Sequence, residues 1–179
     1  CLLLALEEGW GVFALSFDYG QRHKVELDRA RALAGAYGAR EHRVIQLELP
    51  GARVSALTDP LRPVPKNRLG EQAIPETYVP GRNTILLAHA VSYAESVGAS
   101  DIFIGANILD YSGYPDCRPE FLEAFETVAN LGTKAGSQGE TTFRIRAPLL
   151  RMTKGQIVRR AASTPRGSSN RAPRRRIRR

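Results

Sequence analysis

Short apolar runs and longer amphipathic segments alternate along this chain. Four runs rich in β-forming residues predict strands, at 11–17, 42–49, 101–106 and 142–149. Apolar residues at helical spacing predict helices at 1–8, 24–37, 83–97, 119–131 and 153–160. Strands that alternate with helices favour an α/β fold, in which a parallel β-sheet carries helices on both faces.

The same pattern predicts where the core lies. Residues 11–17 form an apolar run typical of a buried parallel strand, and 83–97 is apolar on most faces, as in a buried helix. In the helix at 119–131, one side carries Phe121, Leu122, Phe125, Val128 and Ala129. Residues 59–80 contain five prolines and little periodicity, so we expect a long loop there.

Polar segments follow the predicted strands. "DYGQRH" (18–23) follows the first strand, "NILDYSGYPDCR" (107–118) follows the third, and "VPGRN" (79–83) precedes the helix at 83–97. Ligands of open parallel sheets bind at the carboxyl ends of the strands. We therefore expect the three segments to converge on one rim of the sheet.

The segment "VPGRN" suits an anion. Gly81 lets a ligand approach the backbone, and Arg82 offers a planar fork of donors beside a helix amino terminus, where free N–H groups favour a phosphate or carboxylate. In the alternative interpretation, Asn83 is only the helix N-cap and Arg82 a solvated side chain.

The segment "FDYGQRH" offers several polar side chains at the end of a strand: Asp18, Tyr19, Gln21, Arg22 and His23. They suit a ligand site, and they equally suit a turn followed by a helix cap. His23 could act as a base, although a single histidine is more often an ordinary residue at a helix start.

The segment "DYSGYPDCR" (110–118) is broken by glycine and proline and predicts a shaped loop. Tyrosine rings could stack on a flat heterocycle, and Asp116 could accept two hydrogen bonds from a group such as guanine presents. A proline turn with incidental charges is the alternative. Cys117 is more consistent with a small buried residue than with a nucleophile, since no histidine is nearby in the sequence.

Composition excludes several classes of protein. With 179 residues, 42% of them hydrophobic, the chain suits one soluble domain, and no apolar run is long enough to cross a bilayer. Its two cysteines, Cys1 and Cys117, provide neither a disulfide framework nor a metal cluster. We expect a cytoplasmic protein.

The net charge of +8 is concentrated at one end of the chain. Residues 161–179 hold seven arginines and no acid, so residues 1–160 carry only +1. Blocks of like charge are typical of disordered tails, and the sequence therefore does not indicate direct nucleic-acid binding by the folded part. An arginine-rich arm that binds nucleic acid is the alternative.

Together the segments "SFDYGQRH", "VPGRN", "SGYPDCR" and "TKGQIV" closely resemble the 7-cyano-7-deazaguanine synthase family of PP-loop ATP pyrophosphatases. The resemblance covers residues 1 to about 160. It implies an adenine nucleotide α-hydrolase-like, Rossmann-like fold and a C–N ligase of queuosine biosynthesis, a pathway of tRNA modification. Such enzymes use ATP with Mg²⁺ to convert 7-carboxy-7-deazaguanine and ammonia to 7-cyano-7-deazaguanine, through adenylate and amide intermediates.

The resemblance also implies roles for individual residues. Arg82 is expected to be catalytic, and the ATP-binding residues are Tyr19, Gln21, Arg22, Gly81, Arg82 and Asn83. The substrate-binding residues are Tyr114, Asp116 and Arg118. The family further suggests a homodimer without membrane contact.

Two features of the family pattern are missing from the sequence. The family has an SGGxDS loop that holds pyrophosphate and a cysteine cluster that binds Zn²⁺, and neither motif occurs here. We therefore expect residues 1–160 to form a partial PP-loop synthase domain and residues 161–179 to be a tail, favouring a frameshift as its origin. An inactive fragment or a purine-binding remnant is the alternative to an active ligase.

Overall fold

The computed structural model describes residues 1–22, 24–49, 55–59, 61, 74–108 and 114–163. His23, residues 109–113 (which include the first four positions of "DYSGYPDCR") and the tail from residue 164 lie outside the described residues. The helices are α1 (Leu2–Glu7), α2 (Val25–Ala36), α3 (Arg82–Val97), α4 (Pro119–Gly132), α5 (Lys134–Ser137) and α6 (Lys154–Ser163). The strands are β1 (Phe13–Asp18), β2 (Glu41–Gln46), β3 (Asp101–Phe103) and β4 (Arg144–Arg146).

This arrangement confirms a mixed α/β fold with parallel strands. All four predicted strands and all five predicted helices are present at or near their expected positions, and the short α5 is additional. Residues 74–80 and the described part of 55–61 form no helix or strand, which agrees with a long loop before α3. No helix among the described residues is long and apolar enough to cross a membrane.

The strands pair two by two in the part of the chain that is described. β1 pairs with β2 and β3 with β4, both in parallel, where the sequence predicts one continuous sheet. The chain accordingly forms two compact units. We call them the β1–β2 unit, which also contains α1, α2, residues 76–80 and α6, and the β3–β4 unit, which contains residues 81–108 and 114–153.

In the β1–β2 unit, the register runs from Phe13 opposite Glu41 to Asp18 opposite Gln46. Helix α2 packs on both strands and buries Ala34. Every residue of β1 is only half-buried, so the prediction of a fully buried strand is wrong. Among the described residues β1 has one neighbouring strand, and apolar composition does not bury a strand without neighbours on both edges and both faces.

In the β3–β4 unit, Ile102 lies opposite Ile145, and α3 packs on β3 while α4 packs on β4. Phe143, just before β4, is fully buried. Both strands are shorter than predicted. Just beyond the end of β3, the amide of Ile104 donates to the carbonyl of Arg146 over 2.9 Å.

Helix α3 buries one stripe of residues: Asn83, Leu87, Val91 and Ala94. The helix is therefore not buried on most faces as the sequence predicts, because small and polar residues such as Thr84 and Ser92 occupy the exposed side. It ends at Gly98, whose φ of 68° is a left-handed conformation that suits glycine.

Helix α4 is more amphipathic than α3. Leu122, Phe125 and Ala129 are buried, as predicted, and Phe121 lies beside Phe125 with ring centroids 5.9 Å apart. Val128 is 58% exposed, although the sequence places it on the same side of the helix as these residues. Its position at the edge of the apolar stripe explains the difference, since spacing alone does not set the width of the stripe that a neighbour covers.

Candidate active site

The amino end of α3 is formed by the "VPGRN" segment. Gly81 is the N-cap, with φ 65° and ψ 12°, and the helix begins at Arg82. Asn83 is therefore the second helical residue, and the interpretation of Asn83 as N-cap is wrong. Asparagine is a common N-cap, but here the left-handed backbone of Gly81 starts the helix two residues earlier.

Asn83 joins this helix end to the "SGYPDCR" segment. It is 7% exposed and lies on the buried stripe that continues through Leu87. Its backbone N–H donates to Oδ2 of Asp116 over 3.0 Å, and its side-chain Nδ2 donates to the Asp116 carbonyl oxygen over 3.1 Å. The same Nδ2 lies 3.2 Å from Sγ of Cys117. These contacts satisfy a polar side chain that would otherwise be costly to bury.

Residues 114–118 are shaped by a single 3₁₀ turn, Pro115–Cys117, closed by a hydrogen bond from the amide of Cys117 to the carbonyl of Tyr114. Tyr114 and Asp116 are buried, at 8% and 5% exposure, whereas Arg118 is exposed. The backbone of Arg118 is the N-cap of α4, and Pro119 occupies the first turn as predicted.

The thiol of Cys117 is held in its neutral form. Burial raises its pKa, and the adjacent Asp116 carboxylate raises it further, while the positive charge of Arg82 and the hydrogen bond from Asn83 act in the opposite direction. A thiol needs a lowered pKa to act as a nucleophile near neutral pH. This environment agrees with the interpretation of Cys117 as a buried residue.

The expected anion at the α3 amino terminus is supplied by the protein itself. The carboxylate of Asp116 accepts one of the N–H groups that the helix start exposes, and its charge complements the helix dipole. An external anion at this end would meet that negative charge. Arg82, half-buried at the first position of α3, is the cationic residue of "VPGRN".

In the β1–β2 unit, the side chain of Gln21 folds back on its own loop. Oε1 accepts the N–H of Tyr19 over 2.9 Å, and Nε2 donates to the carbonyl of Phe17 over 2.9 Å. Asp18 accepts the amide of Gly20, and Arg22 is exposed at the end of the turn. Gln21 is itself buried, so its amide shapes the loop that presents Tyr19 and Arg22.

A cleft of about 400 Å³ opens at the carboxyl ends of β1 and β2. It is lined by Asp18, Gly20, Lys24, Gln46, Leu47 and Glu48. The ammonium group of Lys24 lies 3.9 Å from the carboxylate of Asp18. Sequence reasoning identified Asp18 but missed the residues from the second strand, although polar residues after a parallel strand are the signal that could have found them.

Sequence reasoning also missed Asn107, which follows β3. Its Nδ2 donates to the carbonyls of Leu149, over 2.9 Å, and Met152, over 2.5 Å. The amide of Ile108 donates to the carbonyl of Leu150 in the same place. Asn107 thus ties the loop after β3 to the loop after β4, at the end of the strands where ligands of such folds bind.

The candidate residues are divided between the two units. Tyr19, Gln21 and Arg22 lie in the β1–β2 unit, and the remainder lie in the β3–β4 unit: Gly81, Arg82, Asn83, Tyr114, Asp116 and Arg118. Within the β3–β4 unit, Asn83 of "VPGRN" is in direct contact with Asp116 of "SGYPDCR".

Among the described residues, no group of three or more histidine, cysteine, aspartate or glutamate side chains is placed to hold a metal ion. The two cysteines of the chain do not fit the four-ligand zinc site that the family resemblance implies.

The parallel strands, the flanking helices and the polar segments at strand ends define a protein of the Rossmann-like α/β class. The chain belongs to the family of the queuosine biosynthesis protein QueC, whose model matches residues 1–168. It is 56% identical over 160 residues to the 7-cyano-7-deazaguanine synthase of Syntrophotalea carbinolica, covering 89% of this chain and 69% of that protein. It is also 56% identical over 156 residues to the 7-cyano-7-deazaguanine synthase of Azotobacter vinelandii, covering 87% of this chain and 68% of the relative. The family predicted from the motifs is confirmed.

Proposed function

We propose that this chain catalyses the ATP-dependent conversion of 7-carboxy-7-deazaguanine and ammonia to 7-cyano-7-deazaguanine in queuosine biosynthesis. The observation that carries the proposal is its high identity to proteins named for that product. The buried contact between Asn83 and Asp116 supports it, because this contact holds two of the family-like motifs in one arrangement.

The proposed reaction explains why a nucleotide is required. A carboxylate is a poor electrophile, so its oxygen first attacks the α-phosphorus of ATP, which expels pyrophosphate and leaves an acyl adenylate. Ammonia then attacks the acyl carbon, AMP leaves, and a proton is lost to give the amide. The amide oxygen attacks a second ATP in the same way. Loss of AMP and of both protons on the nitrogen then gives the nitrile, so two ATP yield two AMP and two pyrophosphates.

Arg82 is proposed as the catalytic cation. Negative charge builds at the α-phosphate as pyrophosphate departs, and a preorganised guanidinium stabilises such charge well in a site that excludes water. Gly81 and Asn83 fix the backbone from which Arg82 projects. They are proposed to contribute to ATP binding through that geometry.

ATP is proposed to bind at the cleft beyond β1 and β2, with Tyr19 and Arg22 beside it and Gln21 shaping the loop. Tyr19 offers a ring face to a base, and Arg22 offers a fork of donors to phosphate oxygens. Mg²⁺ prefers oxygen ligands, and Asp18 and Glu48 are the carboxylates of the cleft that suit it. When bound, Mg²⁺ would offset the charge of the triphosphate.

The deazaguanine is proposed to bind at residues 114–118. Tyr114 would supply an aromatic contact, Asp116 would accept hydrogen bonds from the guanine edge, and the exposed Arg118 would pair with the substrate carboxylate. The family resemblance also favours a homodimer, which analytical ultracentrifugation tests.

The direct test is product formation by the purified full chain. With 7-carboxy-7-deazaguanine, an ammonium salt, ATP and Mg²⁺, mass spectrometry should detect the nitrile. About two molecules of AMP should accumulate for each molecule of nitrile. Arg82→Ala is the matched control. This variant should lose most of the activity, while calorimetry should still detect binding of 7-carboxy-7-deazaguanine. Deazaguanine binding by the unaltered chain without any nitrile would contradict catalysis and favour the purine-binding remnant.

A further inference from the structure

The amide of the second residue of an α-helix has no partner within the helix. In α3 this amide belongs to Asn83, and its partner is Oδ2 of Asp116, 33 positions further along the chain. Gly81 has no side chain with which to cap the helix, and no side-chain cap is formed at that position. Asp116 therefore does for α3 what an N-cap side chain usually does, and it adds a full negative charge at the positive end of the helix dipole.

A second contact joins the same two residues, with the side chain of Asn83 as donor and the backbone of Asp116 as acceptor. The side-chain Nδ2 of Asn83 donates to the backbone carbonyl of Asp116 and to Sγ of Cys117. The first turn of α3 and the 3₁₀ turn Pro115–Cys117 are thus joined by three contacts that are all buried. Burial matters because a lost partner leaves an unsatisfied polar group away from water, which costs more than the loss of an exposed hydrogen bond.

Arg82 lies immediately before the amide that Asp116 holds. Its Cα is the first of α3, so any fraying of that turn would move the guanidinium. The positive charge of Arg82 also lowers the pKa of the Cys117 thiol in the 3₁₀ turn, against the larger effects of burial and of Asp116.

We propose that Asp116 is a positioning residue for Arg82, and that Asn83 and Asp116 together hold the cation in place through the first turn of α3. This inference rests on the proposed function for the identity of the ligands. It gives Asp116 a role beyond contact with the guanine edge, because loss of its carboxylate must also affect the nucleotide step. Oδ2 accepts the helix-cap hydrogen bond, and Oδ1, which lies 4.0 Å from Sγ of Cys117, is the oxygen proposed to face the substrate.

Hydrogen exchange of the Asn83 amide tests the cap without any ligand. Asp116→Ala should speed exchange of that amide by about tenfold or more, because a hydrogen bond to a charged group is lost. Asp116→Asn keeps an oxygen acceptor of the same shape and should change the rate by less than about threefold. Glu120→Ala removes an exposed carboxylate from the first turn of α4 and should leave the rate unchanged.

A double-mutant cycle with Arg82 tests positioning. Asp116→Ala should lower kcat and raise KM for ATP by about tenfold in the unaltered background, and it should have no further effect on these two quantities in the Arg82→Ala background. Asp116→Asn should restore kcat and KM for ATP, while KM for 7-carboxy-7-deazaguanine stays raised. An amide that keeps its oxygen on the Asn83 N–H turns its NH₂ group, and not an acceptor, towards the guanine edge. If Asp116 had a merely structural role, Asp116→Ala would impair kcat and KM for ATP by the same factor with and without the Arg82 side chain.

The outcomes separate this inference from the proposed function. Faster amide exchange in Asp116→Ala, with no nitrile from the unaltered chain, would leave the cap standing and overturn the proposed reaction. Unchanged amide exchange, or losses from Asp116→Ala and Arg82→Ala that simply add, would overturn the positioning role whether or not the chain is active.

Discussion

The side chain of Asn130 in α4 pairs with the backbone of Phe143 in both directions. Its Oδ1 accepts the Phe143 amide over 2.8 Å, and its Nδ2 donates to the Phe143 carbonyl over 2.9 Å. The helix side chain thereby gives hydrogen-bond partners to the backbone N–H and C=O of Phe143, as a neighbouring strand would. Since Phe143 is fully buried, neither backbone group has water as an alternative partner.

Asn130→Ala should therefore lower the free energy of unfolding by about 2–3 kcal/mol, because two buried backbone groups lose their partners. Urea unfolding followed by circular dichroism measures the change. Asn130→Asp should not rescue the stability, since its second oxygen would face the Phe143 carbonyl. Thr127→Ala, at an exposed position of the same helix, is the control and should stay within about 0.5 kcal/mol of the unaltered chain.

Two glycines with different backbone conformations should respond to alanine with opposite signs. Gly81 has φ 65°, and Gly81→Ala should cost about 1–2 kcal/mol of unfolding free energy because a Cβ strains the left-handed conformation. Gly35 lies inside α2 without a positive φ, and Gly35→Ala should add about 0.5–1 kcal/mol. At both positions a Cβ would meet no atom within 4 Å, so crowding does not confuse the comparison. Equal effects from the two variants would contradict this account of Gly81.

Gln21 and Arg22 are adjacent, but alanine at the two positions should have different effects on stability and on ATP binding. Gln21→Ala removes two hydrogen bonds that shape the 18–22 loop, so both the unfolding free energy, by about 1–2 kcal/mol, and the ATP affinity should fall. Arg22→Ala removes an exposed side chain and should lower ATP affinity alone, with stability within about 0.5 kcal/mol. Thermal unfolding and calorimetry with ATP give the two quantities. Loss of affinity without loss of stability in Gln21→Ala would indicate a direct contact instead.

Local patterns predicted the elements of this fold well because their causes are local. The spacing of apolar residues identifies α3 and α4, and Gly98 ends α3 because its backbone is left-handed. The burial of β1 was not predictable in this way, since it depends on which strands and helices cover it. Periodicity describes the face that a residue occupies, and not what lies opposite that face.

For the candidate site too, local features were predictable from the sequence and a contact between distant residues was not. The motifs identified the segments that carry polar chemistry, and the family they indicate is confirmed. The role of Asn83 was missed because its partner, Asp116, is distant in the sequence. One signal was nevertheless present: Asn83 lies four residues before Leu87 on the buried stripe, and a polar residue on such a stripe requires a buried partner.

Cys117 should make the stability of the chain sensitive to alkaline pH. Burial, together with the Asp116 carboxylate, raises the pKa of its thiol above the ordinary value of 9.0. The stability associated with the neutral thiol is therefore complete below pH 9.0, where the unfolded chain is also protonated, and is lost as pH rises through the higher folded-state pKa. Cys117→Ala removes this loss. The unfolding free energy of the unaltered chain minus that of Cys117→Ala should fall as pH rises from 9.0 into the more alkaline range, while all other titrating groups cancel in the difference. A difference that is flat across this range would show that the thiol ionises equally readily in the folded and unfolded chain.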